Sequence, residues 1–329
     1  MSENKEAKKA KKAEKKAAKK AGKKGDKGFK VFIAVLLVAA IVVEIYIGLT
    51  IPSKINDAIT AATLTSDEDE GVASLTFTPG TYAGVDFKTQ DEVVQYYIDA
   101  YNKTKPQTAQ YKDADGNTQT FYKMVGTEDL TVEDGSLLID GSPANSMVQG
   151  LIPQVLGGIF KPNVNGLAPC GNRNPNEDKD ENGDLLTECR VKPEDVDSVS
   201  VAEKDGKVVL TIMPKAVNMS HKGLDAQGHF FNSLGAIDNT INDLGVGWAS
   251  GTTEQNCIVN YEGGTVVATI DPASGEIVEA DYTMTVKLDI SHVNFMILKD
   301  RGAALTLVYT QHFPADDQYL MDKRQLTRL

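Results

Sequence analysis

The stretch CGNRNPNEDKDENGDLLTEC, Cys170 to Cys189, is where residue types and spacing come nearest to chemistry. Asp178, Asp180, Asn182, Gly183, Asp184 and Leu185 stand in the order D-x-D-x-N-G-x-L, the first two-thirds of a calcium loop. A hard cation takes about six to eight oxygens, and oxygen-bearing side chains at alternate positions, with a glycine to turn the chain, converge on one point. The closing bidentate acid belongs at the twelfth position of such a loop, which here is Cys189; Glu188 comes one residue early. That departure excludes a strict EF-hand. It leaves a looser turn, with Asp178, Asp180, Asn182, Asp184 and Glu188 as candidate ligands and calcium as the candidate cofactor. The competing reading is a solvated acidic loop, since Asx-Gly turns occur wherever chains reverse.

Two cysteines flank this loop. A disulfide between Cys170 and Cys189 is chemically sensible outside a cell, and closing ~20 residues would contribute about 3 kcal/mol in the chain-entropy model. The third cysteine, Cys257 in ENCIVNY, precedes Ile258 and Val259 at the start of a predicted strand and reads as a buried apolar residue. The functional alternative is a thiol nucleophile assisted by His221, His229 or His292, with Arg301 to hold an oxyanion or carboxylate. H-E-x-x-H, G-x-S-x-G, G-x-x-x-x-G-K and paired Cys-x-x-Cys patterns are absent, so no catalytic residue is assigned. The lone tryptophan, Trp248, is expected to cap a core edge.

Charge is divided along the chain. Residues 1–30 hold 13 lysines against 4 acidic side chains, a net of +9, whereas the whole chain carries −12 and the remainder therefore −21. Between them Val31 to Ile51 reads VFIAVLLVAAIVVEIYIGLTI, with Glu44 its one ionisable group. As a helix at 1.5 Å per residue these residues would span about 30 Å, the thickness of a bilayer core. No small-x-small cleavage site follows before Pro52, so the stretch is expected to be an uncleaved transmembrane signal-anchor. Lysine on its N-terminal side predicts a cytoplasmic tail and an extracellular C-terminal domain in the cell envelope. The expected organisation is a lysine-rich tail at 1–30, the anchor at 31–51, an acidic stem at 52–71 and an extracellular domain at 72–329. Anionic inner-leaflet lipids are the expected partner of the tail, and no specific nucleic acid is expected.

The elements that must position these residues follow from periodicity and turn chemistry. In TQDEVVQYYIDAYNKTK, Thr89 with Glu92 makes a capping box, and Val93, Val94, Tyr97, Ile98 and Tyr101 share one helical face. Hairpins are predicted about Asp115-Gly116 and Asp205-Gly206. Three further strands are separated by Gly263-Gly264 and Pro272 to Gly275, and a last one runs from Ala303 to Phe313. Helical spacing predicts a kinked apolar helix from Pro143 to Phe160 and another through Phe230, Phe231, Leu234, Ile237, Ile241 and Leu244. The expected class is α+β: a transmembrane helix, then an ectodomain with a curved antiparallel sheet packed against two or three helices.

The succession of YYIDAYNKTK, VDSVSVAEKDGKVVLTI and TVVATIDPASGEIVEADYTMTVKL resembles surface domains of anaerobic Gram-positive bacteria. The resemblance spans roughly residues 85–313 and implies an envelope location without a particular activity. The function expected from the sequence is a membrane-anchored, non-enzymatic binding or scaffolding module with envelope protein partners. The alternatives are a carrier of an apolar ligand or lipid beneath the curved sheet, lined by Met147 to Phe160, and an envelope enzyme using Cys257.

Overall fold

The computed structural model describes residues 74–144, 176, 178–180, 182–231, 233, 247–295 and 298–329. The lysine-rich tail, the apolar stretch at 31–51 and the acidic stem lie outside the described residues. So do the expected Pro143 to Phe160 helix beyond Ala144 and the segment 234–246.

Local signals act where they were expected to. After a short hairpin of β1 (Gly80–Tyr82) and β2 (Val85–Phe87), helix α1 (Gln90–Thr104) starts at Thr89. The Thr89 hydroxyl accepts from the Glu92 amide at 3.2 Å, and the Glu92 carboxylate accepts from the Thr89 amide at 3.3 Å. Its apolar face buries Val93, Val94, Tyr97, Ala100 and Tyr101. Strands β3 (Thr108–Lys112) and β4 (Thr118–Tyr122) reverse through Asp113 to Asn117, where Gly116 takes φ 80°. The Asp113 carboxylate accepts the amides of Asp115 and Asn117, so the turn uses its acid on its own backbone. Strands β8 (Val196–Lys204) and β9 (Lys207–Pro214) reverse at Asp205-Gly206 with φ 52° and 69°, a turn whose twist suits a tight hairpin.

The long-range architecture is a large antiparallel sheet. Short strands β5 (Thr127–Val132), β6 (Leu138–Ile139), β7 (Ser142–Pro143), β10 (Val217–Asn218) and β11 (Gly247–Trp248) join it at its margins. Its inner strands are β12 (Cys257–Tyr261), β13 (Thr265–Asp271), β14 (Glu276–Phe295) and β15 (Leu298–Phe313). The path runs β7-β6-β15-β14-β13-β9-β8. At about 3.3 Å per residue, the 20 residues of β14 outreach any one neighbour, so β13, β12 and β11 share one of its edges in turn while β15 takes the other. Alternation along β14 sets the faces: Tyr282, Met284, Val286, Leu288 and Ile290 point into the core, and Asp281, Lys287 and Asp289 point out. Helix α1 lies on the inner face, where the Tyr97 and Tyr282 hydroxyls meet at 2.8 Å.

A second, three-stranded sheet, β16-β3-β4, is closed by the C-terminus through β16 (Thr327–Arg328), and Tyr111, Val125, Ala315, Leu320 and Leu326 form its separate core.

The expected α+β class is corrected. Strands hold 47% of the described residues and helices 16%, so the domain is mostly β. Among the described residues, the α-helices beyond α1 are α2 (Ala226–Phe230), α3 (Thr253–Asn256) and α4 (Asp317–Tyr319), none longer than five residues. A short helix ends at Phe230, where Phe231 takes extended backbone, φ −125° and ψ 163°; the expected helix from Leu234 to Leu244 lies outside the described residues. Among the described residues no helix is long and apolar enough to cross a membrane, so the transmembrane helix finds no counterpart there.

Candidate functional site

A buried polar cluster gathers where α1 ends. The Thr104 hydroxyl donates to the Ala100 carbonyl at 2.7 Å and accepts the Ile277 amide of β14 at 2.9 Å, which ties the last helical turn to the sheet. Lys105 follows at the C-cap, its amide bonded to the Tyr101 carbonyl at 2.8 Å. Its side chain turns inward rather than to solvent and is 3% exposed. There Nζ lies 5.6 Å from the centre of the Tyr101 ring and 5.3 Å from that of Tyr122 on β4, positions that suit a cation against aromatic faces.

Asp178 completes this cluster. Its carboxylate is excluded from solvent, with Oδ2 2.9 Å from Lys105 Nζ and 3.3 Å from the Tyr122 hydroxyl, and Oδ1 3.3 Å from Lys222 Nζ. Two residues on, Asp180 folds the loop upon itself. Its Oδ1 accepts the Asp184 amide at 2.9 Å, and the Asp180 amide donates to the Asp184 carbonyl at 2.8 Å. Gly183, with φ 90°, makes the reversal. Asp180 Oδ2 receives Arg190 Nη1 at 2.5 Å, while that guanidinium also donates to the Gly223 and Leu185 carbonyls. Burial pushes the Asp180 carboxyl upward, but Arg190 and the loop amides outweigh it and hold the group below its ordinary range.

This geometry overturns the calcium loop. Asp178 and Asp180 are buried and face the chain's own cations, whereas Asn182, Asp184 and Glu188 are exposed on the outside of the same turn. A divalent ion would need these oxygens aimed at one point and unneutralised. Lys105, Lys222 and Arg190 already supply the positive charge. Among the described residues no group of three or more His, Cys, Asp or Glu side chains is placed to hold a metal ion.

The expected disulfide is also corrected. Cys189 carries a free thiol, packed against the main core, and burial pushes that thiol up to about 12. Its amide is held by Asn102 Oδ1 of α1 at 2.7 Å. Cys170 lies outside the described residues.

The other candidate groups lie on separate elements. Cys257 is 1% exposed on the inward face of β12. His229 Nδ1 pairs with Asp195 at 2.7 Å, His292 Nδ1 with Asp300 at 2.7 Å, and Arg301 with Asp140. Trp248 sits at the core edge on β11, its indole N–H donating to the Thr253 hydroxyl at 3.0 Å. Sequence reasoning found the acidic loop but missed its partners. Lys105 reads as an ordinary basic residue after a helix, and its separation of 73 positions from Asp178 conceals the contact. Arg190, directly after Cys189, was the one local signal available.

Comparison with family models, with curated proteins and with solved structures finds no match.

Proposed function

We propose that the chain is a cell-envelope protein, attached to the membrane through its apolar stretch at 31–51, whose β domain serves outside the cell as a non-enzymatic binding or scaffolding module. The observation that carries this reading is how the best candidate for chemistry is used. Asp178 and Asp180 are engaged by Lys105, Lys222 and Arg190, so the cluster braces α1, β4, the acidic loop and the turn at 220–225 against one another. A domain held rigid in this way presents a fixed surface.

The charge division supports the orientation. A +9 tail suits the cytoplasmic side and an anionic inner leaflet, and a strongly acidic domain suits the outside. Envelope proteins are the partner class for such a module. The test is protease treatment of intact cells producing the full chain with a C-terminal epitope. Removal of the epitope before lysis is the expected outcome. Protection until the cells are broken would overturn the orientation.

A further inference from the structure

We propose that Lys105 and Asp178 are joined by an amide bond between side chains, an internal cross-link formed by the chain itself. Lys105 Nζ and Asp178 Oδ2 are 2.9 Å apart, with side-chain exposures of 3% and 0%. A charged pair at such a site has lost its hydration on both sides, and moving one proton from nitrogen to oxygen turns it into an amine beside a carboxylic acid, the two reactants of a condensation. Neutral partners lose less by being kept from water than ions do.

The surrounding groups fit each stage. Transfer of one Nζ proton to Oδ2 frees the nitrogen lone pair, which adds to Cγ. Negative charge then develops on Oδ1, where the Lys222 ammonium sits at 3.3 Å. The Tyr122 hydroxyl, 3.3 Å from Oδ2, helps to hold the departing oxygen. The Cγ–Oδ2 bond breaks as a second Nζ proton passes to that oxygen, and water leaves. The product is a neutral amide whose oxygen, the former Oδ1, stays bonded to Lys222. One C–N bond forms, one C–O bond breaks, and the net charge of the three groups is unchanged. The Tyr101 and Tyr122 rings beside Nζ restrict water on the amine side.

The link would fasten the end of α1 to the acidic loop, a segment that buries Leu186 and bears the free thiol of Cys189 in place of a disulfide. Intact-mass measurement of the purified full chain tests it. The expected mass lies about 18 Da, one water, below that of the sequence, with a branched peptide joining the Lys105 and Asp178 segments after digestion. Lys105→Arg and Asp178→Ala should each restore the sequence mass, and Asp178→Asn should shift the loss to about 17 Da, since ammonia leaves instead. A wild-type chain at the unmodified mass, in fresh and in aged preparations, overturns the proposal and leaves an ion pair. That measurement needs no variant to fold.

Discussion

The acidic residues of this chain act through whom they face. Asp180 is held in its ionised form by Arg190 and two loop amides, and truncating Arg190 to methionine would leave a buried carboxylate facing no guanidinium. Loss of one partner from a fully buried pair costs about 3–5 kcal/mol. Arg190 is 30% exposed, so the expected loss is smaller, about 1–2 kcal/mol, read as a lower urea midpoint of the full chain. Asp195 gives a pH signature of its own. Burial pushes its carboxyl upward, yet the His229 ring and the Lys192 amide hold it below its ordinary value. A carboxyl depressed in the folded state contributes stability that is fully present above the unfolded value near 4 and is lost as pH falls through the lower folded value. Thermal unfolding followed from pH 6 down to about 2 should show that loss, and Asp195→Asn should make the same curve shallower over that range. An unchanged slope in the variant would mean that other carboxylates govern acid stability.

At the scale of elements, what could be read in advance was what local chemistry decides. The Thr89–Glu92 box, the Asp113–Asn117 reversal and the Asp205-Gly206 turn each depend on residues within five of one another, and all are present. Not legible was how far one strand runs. Two bulges let β14 and β15 stay paired past Ile290, and the division of the far edge of β14 among three strands depends on register across the chain. Glycines mark where that register is least forgiving. A Cβ at Gly264, at φ 95°, would stand 2.1 Å from the Thr283 carbonyl oxygen on β14, a backbone atom that cannot swing aside. At Gly116, φ 80°, a Cβ would meet open space. Gly116→Ala should therefore cost only the strain of a left-handed backbone, about 1 kcal/mol. Gly264→Ala should cost about 3 kcal/mol or more, because β13 must shift against β14. Equal costs in parallel urea titrations would mean that the β12–β13 turn yields without disturbing the sheet.

Over the whole molecule, the two sheets raise the question of how many units unfold. The small sheet has its own core, and the chain's last residues complete it: Leu326 is 2% exposed, the Leu329 amide donates to the Gln110 carbonyl at 3.1 Å, and Arg328 reaches the Ala315 carbonyl at 2.6 Å. Polar links tie this sheet to the rest. Tyr122 reaches Asp178, and both Gln107 and Lys123 reach Glu276 at the start of β14. The exposed Lys123–Glu276 link is worth well under 1 kcal/mol and the neutral Tyr122 hydroxyl about 1 kcal/mol, whereas an emptied leucine site costs about 2–4 kcal/mol. The balance favours local loss. Ending the chain after Arg324 should therefore lower amide protection in β3 and β4 by about 100-fold, while β13 and β14 keep theirs. Hydrogen exchange on the shortened and the full chain, resolved by peptide, decides the matter. Equal loss in both sheets would mean that the cluster at Lys105 and Asp178 transmits the damage, so that the domain opens as one unit and the C-terminus is part of its single cooperative core.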